Sequence, residues 1–278
     1  MPISCGTRAA ALHSLVEIAG ANDEWPLAKE RAESLVRLEP DGHTRLTLAR
    51  VLVGAGEREA AADELERIAV DTANSDALRS AAFQRAIELA GEGHDYAAME
   101  RTAREWLWAF PGATPASWHR TFALARLSRY EDALQIWTSG ALTVTTLDQA
   151  LLVSDVLYRA ADAPTAVREV ARLSDQFGRE EERLEFLVLL SALRPETQLP
   201  EDLRLRVAEG FERFPKQFPD SKLLWVEKAP TTVEELDALA GKYATTDEEL
   251  VEQLVDATRE GEGPISRSHR PPDRTLEP

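Results

Sequence analysis

The sequence predicts an all-α chain built from stacked antiparallel helix pairs. Three observations carry this reading. Apolar residues recur at helical spacing through roughly the first 178 residues, interrupted by short turns rich in Gly, Asn, Asp and Pro. A residue at the helix-crossing position repeats as Ala28, Ala61, Met99, Ala133 and Ala166, alanine in four of five cases. Its intervals lie close to ~34 residues, the period of stacked helix–turn–helix units. The composition agrees: 44% hydrophobic but only 6% aromatic, with abundant alanine and leucine, favours helices over strands.

The first unit runs from about Ala9 to Gly42, with Leu12, Leu15, Val16 and Ala19 on one helical face. Asn22 to Pro26 reads as a turn, since proline suits the first positions of a helix. The second helix carries Ala28, Ala32, Leu35 and Leu38 and stops at Pro40, which disfavours helix at the residue before it. The second unit begins near Gly42. Leu48, Ala49 and Leu52 line its first helix, Gly54-Ala55-Gly56 its turn, and Ala61, Leu65 and Ile68 its second helix. The third begins near Ser80, turns at Gly91 to Tyr96, and continues through Met99, Ala103, Trp106 and Leu107 to Pro111.

The fourth unit places Trp118, Thr121, Leu124 and Ala125 before Ser128-Arg129-Tyr130-Glu131-Asp132-Ala133-Leu134. The fifth starts near Leu147, with Val153, Ser154 and Leu157, then Ala166, Val170 and Leu173. The turn of the fourth unit resembles the tetratricopeptide family, whose pattern is small–x–Tyr–x–x–Ala followed by an aliphatic residue. Ser128 stands in the family's glycine place, and Tyr130 and Ala133 match. The chain departs from the family at the small residue of the first helix, which is Val16 and Ile87 in two units, and keeps the helix-ending proline only as Pro40 and Pro111. The resemblance implies a tetratricopeptide-like α-solenoid of bacterial type: a right-handed superhelix of antiparallel helix pairs, about five of them over residues 1–178.

Beyond Gly178 the pattern loosens. Glu181 to Leu193 and Glu201 to Phe214 read as helices of a degenerate sixth repeat, the latter with Leu205, Ala208 and Phe211 inward. Phe211, Phe214, Phe218, Leu223, Leu224 and Trp225 make an apolar cluster. A capping element is expected here, over residues 179–228, because the end of an array must cover its apolar face; the alternative is a docking patch. Thr232 with Glu235 and Thr246 with Glu249 fit capping boxes, so residues 229–262 read as two short acidic helices. Residues 263–278, with three arginines and repeated prolines, read as a disordered tail.

Charge and motifs narrow the function. The net charge is −17 over 278 residues, which repels nucleic-acid phosphates and anionic lipid in the absence of a basic patch. One cysteine, Cys5, allows no internal disulfide. The most apolar stretch, Leu184 to Leu193, is about half the ~20 residues a membrane span needs. A soluble cytoplasmic protein follows. The five histidines, His13, His43, His94, His119 and His269, form no zinc-ligand spacing. The turns Gly91-Glu92-Gly93 and Gly261-Glu262-Gly263 lack the lysine and the strand of a P-loop. No Gly-x-Ser-x-Gly elbow occurs. No catalytic residue, cofactor site or metal site is therefore assigned, and the chain reads as a non-enzyme.

The resemblance implies that the first helices line a concave groove. It assigns His43, Leu46 and Arg50 to that groove from the second unit, and Trp118, Phe122, Ala125 and Arg126 from the fourth. The lysines and asparagines with which one branch of the family clamps a carboxylate terminus are missing from these places. An apolar, partly aromatic groove is expected instead, with Arg50 and Arg126 as anion contacts. His13 and His119 are further candidates for the same side, against the favoured reading of solvated or hydrogen-bonded histidines. Large aromatics are mostly buried, so packing of Trp118 against a neighbouring helix is the competing reading. The chain is thus expected to be an adaptor that binds a peptide or protein segment. The alternative is a recruitment portion of a larger bacterial enzyme system. Phe214 to Pro219 and Asp247 to Ile265 faintly resemble proteins that join such repeats to a transcript-cleavage-factor-like segment and a PIN nuclease domain.

Overall fold

The computed structural model describes residues 5–177, 182–192 and 199–217. All regular structure among them is α-helical. The chain divides into two compact units, Met1–Leu127 and Ser128–Pro278.

The first unit contains α1 (Cys5–Ala21), α2 (Trp25–Leu38), α3 (Gly42–Gly54), α4 (Arg58–Val70), α5 (Asp76–Glu92), α6 (Tyr96–Ala109) and α7 (Thr114–Arg126). Each helix packs on the next in the chain. The connections are short, so successive helices run antiparallel. One device sets the hairpins. At the end of α1, Asp23 takes the left-handed conformation, its N–H reaches Gly20 O at 3.1 Å, and Glu24 N–H reaches Ala19 O at 2.9 Å. Gly56 and Glu57 repeat this after α3, at 3.0 and 2.9 Å, and His94 and Asp95 after α5, at the same distances. This paired closure is the Schellman motif, which satisfies the last helical carbonyls and reverses the chain. Counted from these residues, Ala28, Ala61 and Met99 hold one place in their helices. The two alanines are 0% exposed and Met99 4%. Interhelical distance depends on the side chains at the contact, and a methyl group lets the helices come closest.

Further contacts tie neighbouring hairpins. Lys29 on α2 donates to Glu57 at 2.6 Å, and Arg120 on α7 donates to Glu100 on α6 at 3.1 Å. Asp41 caps α3 by accepting from the N–H groups of His43 and Thr44, and Ser75 caps α5 through Leu78 N–H.

The second unit contains α8 (Tyr130–Thr138), α9 (Leu147–Ala160), α10 (Ala163–Phe177), α11 (Glu182–Ala192) and α12 (Glu201–Gln217). Ala133 and Ala166 are 0% exposed, as the repeat requires. Ser128, the residue in the glycine place, has φ 57° and so occupies the left-handed region that glycine favours. An extended stretch precedes α9 and buries Leu142 and Val144. Thr146 and Gln149 then form a reciprocal capping box at the start of α9. The α11 helix is buried along its length, and its Glu185 accepts from Arg206 and Arg213 of α12 and from the Ser174 hydroxyl.

Three details differ from the sequence reading. Leu15 is 47% exposed; the buried face of α1 is Ala9, Val16 and Ala19, with Leu12 half-buried. The third unit begins at Asp76, not near Ser80, because Ser75 is its cap. Leu205 is 62% exposed, since the inward stripe of α12 runs through Leu203, Val207, Phe211 and Phe214, and Leu205 lies across the helix from it. The expected acidic helices at 229–262, the tail at 263–278, and Phe218, Leu223, Leu224 and Trp225 of the apolar cluster lie outside the described residues.

Candidate functional site

The groove residues read from the sequence all lie on α3 and α7 of the first unit, and the structure sorts them into two clusters and two outliers. Leu46 and Arg50 line a pocket of about 340 Å³ together with Thr47, Ala49 and Val53 of α3, Leu65 of α4 and Arg85 of α5. Leu46 and Val53 pack on the hydrophobic core, so the pocket has an apolar floor continuous with the interior. Two guanidinium groups contribute to its lining. Arg50 is exposed and paired with Glu17 on α1. Arg85 donates to Glu88 at 3.0 Å and Glu92 at 3.2 Å. Burial opposes the charged form of Arg85, but hydrogen bonds and charge from Glu88 and Glu92 outweigh it and raise its pKa above the usual arginine value. The carboxylates therefore hold the cations in place at the pocket while neutralising much of their field.

Phe122 and Arg126 form the second cluster, with Tyr96 at the start of α6. The Phe122 ring meets Tyr96 edge-on at 6.0 Å, and the Arg126 guanidinium lies 5.1 Å from the Tyr96 centroid and 5.8 Å from that of Phe122. Arg126 also donates to the Tyr96 hydroxyl at 3.1 Å, and the same hydroxyl lies 3.2 Å from His94 Nδ1. Cation–π stacking and hydrogen bonding thus fix Arg126 against an aromatic pair.

The remaining two residues stand apart. His43 is exposed at the N-terminal turn of α3, where its backbone N–H donates to Asp41 and its carbonyl accepts from the Thr47 hydroxyl. Trp118 is 8% exposed and belongs to the interior, as the packing reading requires. The reason is the position of α7, which is buried at every residue from Ala116 to Ala125 except Arg120 and Phe122. His119 shares that burial, at 4% exposure, and its Nδ1 has no hydrogen-bond partner. Burial pushes its pKa down to about 4, against a weaker upward pull from Glu88. His13, by contrast, is exposed on α1.

Sequence reasoning missed Arg85, Val53 and Tyr96. The turns do not point to them directly, since the place of Arg50 falls on other residues in the neighbouring units. Counted back from the left-handed residues Asp23, Gly56, His94 and Ser128, one place is held by Glu17, Arg50, Glu88 and Phe122. Placing the third unit from Ser80 hid α5 from this alignment. Among the described residues, no group of three or more His, Cys, Asp or Glu converges as a metal site, and no helix is long and apolar enough to cross a membrane.

No family model matches the sequence. No curated protein matches it either. Among solved structures, the fold is similar to a tetratricopeptide repeat protein from Parabacteroides merdae ATCC 43184, at 13% identity and a TM-score of 0.48, over 91% of this chain and 99% of that one. It is also similar to the TPR domain of P58(IPK), at 14% identity and a TM-score of 0.34, over 91% of this chain and 67% of that one. The assignment rests on the chain's own features: repeated Schellman hairpins, a buried alanine at four of the five crossings and the Ser128–Ala133 turn pattern. By these the chain is an all-α helical-repeat protein whose hairpins resemble tetratricopeptide repeats.

Proposed function

We propose that this chain is a non-catalytic scaffold that binds a peptide or protein segment at the Leu46–Arg50–Arg85 pocket of its first unit. The pocket itself carries the reading. An apolar hollow of about 340 Å³ opens beside two arginines drawn from neighbouring hairpins, which suits one aliphatic or aromatic side chain flanked by polar backbone. Recognition sites of this kind combine a buried apolar anchor with a few fixed polar groups. A carboxylate on the segment would take the place of Glu17 on Arg50 or of Glu88 on Arg85. The pocket sits on helices, so little ordering is needed on binding, and affinity follows from preformed shape. The Tyr96–Phe122–Arg126 cluster offers a second aromatic and cationic contact of the same chemistry.

The test is a crosslinking pull-down from the native host with the full chain and with Leu46→Glu, which puts a charge in the pocket at a half-buried position. The expected result is a protein recovered by the wild type and lost with the folded variant. Equal recovery of every protein by the two chains would remove the pocket from the account.

A further inference from the structure

The outer helices α4 and α6 occupy equivalent places in successive hairpins, and their exposed faces are chemically opposite. Counted from the left-handed turn residues Gly56 and His94, Asp63, Glu66 and Val70 on α4 correspond to Arg101, Arg104 and Trp108 on α6. All six are exposed. Trp108 stands out: its side chain is 88% exposed, and Val70 is 57% exposed. A fully solvated indole leaves a large apolar surface in water, and Trp and Arg are the residues that most often anchor protein interfaces. Among the described residues Arg101, Asp63 and Glu66 enter no ion pair, and Arg104 has only Glu100 at 3.5 Å.

We propose that the occupant of this face is a second copy of the chain, in a symmetric dimer. Both α4 and α6 pack against α5. Each is joined to it by a short connection, so they run in the same direction. A two-fold axis lying between them and parallel to them therefore sets α4 of each copy over α6 of the other, in register. Asp63 then meets Arg101, Glu66 meets Arg104, and Val70 covers Trp108, twice over by symmetry. Such an isologous interface needs one surface that is complementary to itself, and an acidic stripe beside a basic one with apolar residues at matching ends meets that condition. The equivalent stripe on α2, with Glu30, Glu33 and Arg37, lacks this pattern. None of these residues lines the Leu46–Arg50–Arg85 pocket, and the inference stands or falls independently of that site.

Sedimentation velocity of the full chain over a wide concentration range tests it. The wild type is expected to pass from monomer to dimer as concentration rises. Three variants are expected to stay monomeric at concentrations where the wild type is dimeric: Trp108→Ala, the double reversal Arg101→Glu with Arg104→Glu, and the double reversal Asp63→Arg with Glu66→Arg. All changes are at exposed positions, and circular dichroism checks that each chain keeps its helices. An equimolar mixture of the two charge-reversed chains restores opposite charges at every contact and is expected to recover the dimer. A wild type that remains monomeric throughout would overturn the proposal. So would a dimer that survives in the variants, or charge-reversed chains that stay monomeric when mixed.

Discussion

Ser128 carries the repeat's turn with the wrong residue for its backbone. A left-handed φ of 57° costs an L-residue energy that glycine does not pay. Replacing Ser128 with glycine is expected to raise stability by about 1 kcal/mol, read as a higher urea midpoint; a lower midpoint would contradict the assigned turn. His119 makes a second prediction. The folded chain keeps it neutral down to about pH 4, whereas the unfolded chain protonates it near its ordinary 6.5. Between those values the unfolded state binds more protons, so stability is complete above pH 6.5 and falls as the pH drops toward 4. The contribution is about 3 kcal/mol at the acid end. Urea melts across that interval should show the wild type losing more stability than His119→Gln. Parallel losses in the two chains would place the histidine in contact with water.

At the scale of elements, the hairpins are held by close approaches that tolerate little change. A Cβ at Gly54, the last residue of α3, would fall on the ring of Trp25, the first residue of α2. The indole there is wedged between two hairpins, and Gly54→Ala is expected to cost about 1–3 kcal/mol through displacement of that ring. Near-UV circular dichroism should register the moved tryptophan together with the lowered midpoint; an unchanged spectrum and midpoint would contradict the contact. In the second unit, Glu185 is 1% exposed and accepts from Arg206 and Arg213, each at 2.5 Å. Burial favours its neutral form, but hydrogen bonds from Arg206 and Ser174 and the charge of both arginines outweigh that and hold its pKa below the usual value. Glu185→Ala removes the carboxylate that Arg206 and Arg213 share, leaving Arg206 with Asp175 at 3.7 Å, and is expected to cost about 3 kcal/mol. A denaturation midpoint equal to that of the wild type would contradict a buried bridge between α11 and α12. These elements differed in how far they could be read from sequence. The α9 capping box was present as Thr146-x-x-Gln149 and went unread, while Leu205 looked inward only because its helix was phased on the wrong apolar residues. A helix with leucines on more than one face does not state which face is buried until its neighbours are known.

For the molecule as a whole, the repeat was legible because two demands recur at fixed distance: a small residue where helices cross and a chain reversal before it. Ala28, Ala61, Ala133 and Ala166 state the first directly, and all are fully buried. The reversal is harder to see, because Asp23, His94 and Ser128 adopt a glycine-like backbone without being glycine. The start of the third unit depends on a different signal, the Ser75 cap, and Arg85 lies three residues before Glu88, which holds the place of Arg50, so the period does not point to it. The residues that line the pocket were legible only in part. The resemblance assigns Leu46, Arg50 and Trp118 alike, and of these Leu46 and Arg50 line the pocket, whereas the burial of Trp118 depends on what surrounds α7. The central claim is that one hairpin is repeated in register along the chain. Backbone NMR of the full protein tests it most directly, through secondary chemical shifts and φ-sensitive couplings at every residue from Cys5 to Ser128. The account predicts helical values interrupted at the connections, with positive φ at Asp23, Gly56, His94 and Ser128. Extended shifts within α1 to α7, or helical values running unbroken through any of those four residues, would contradict it.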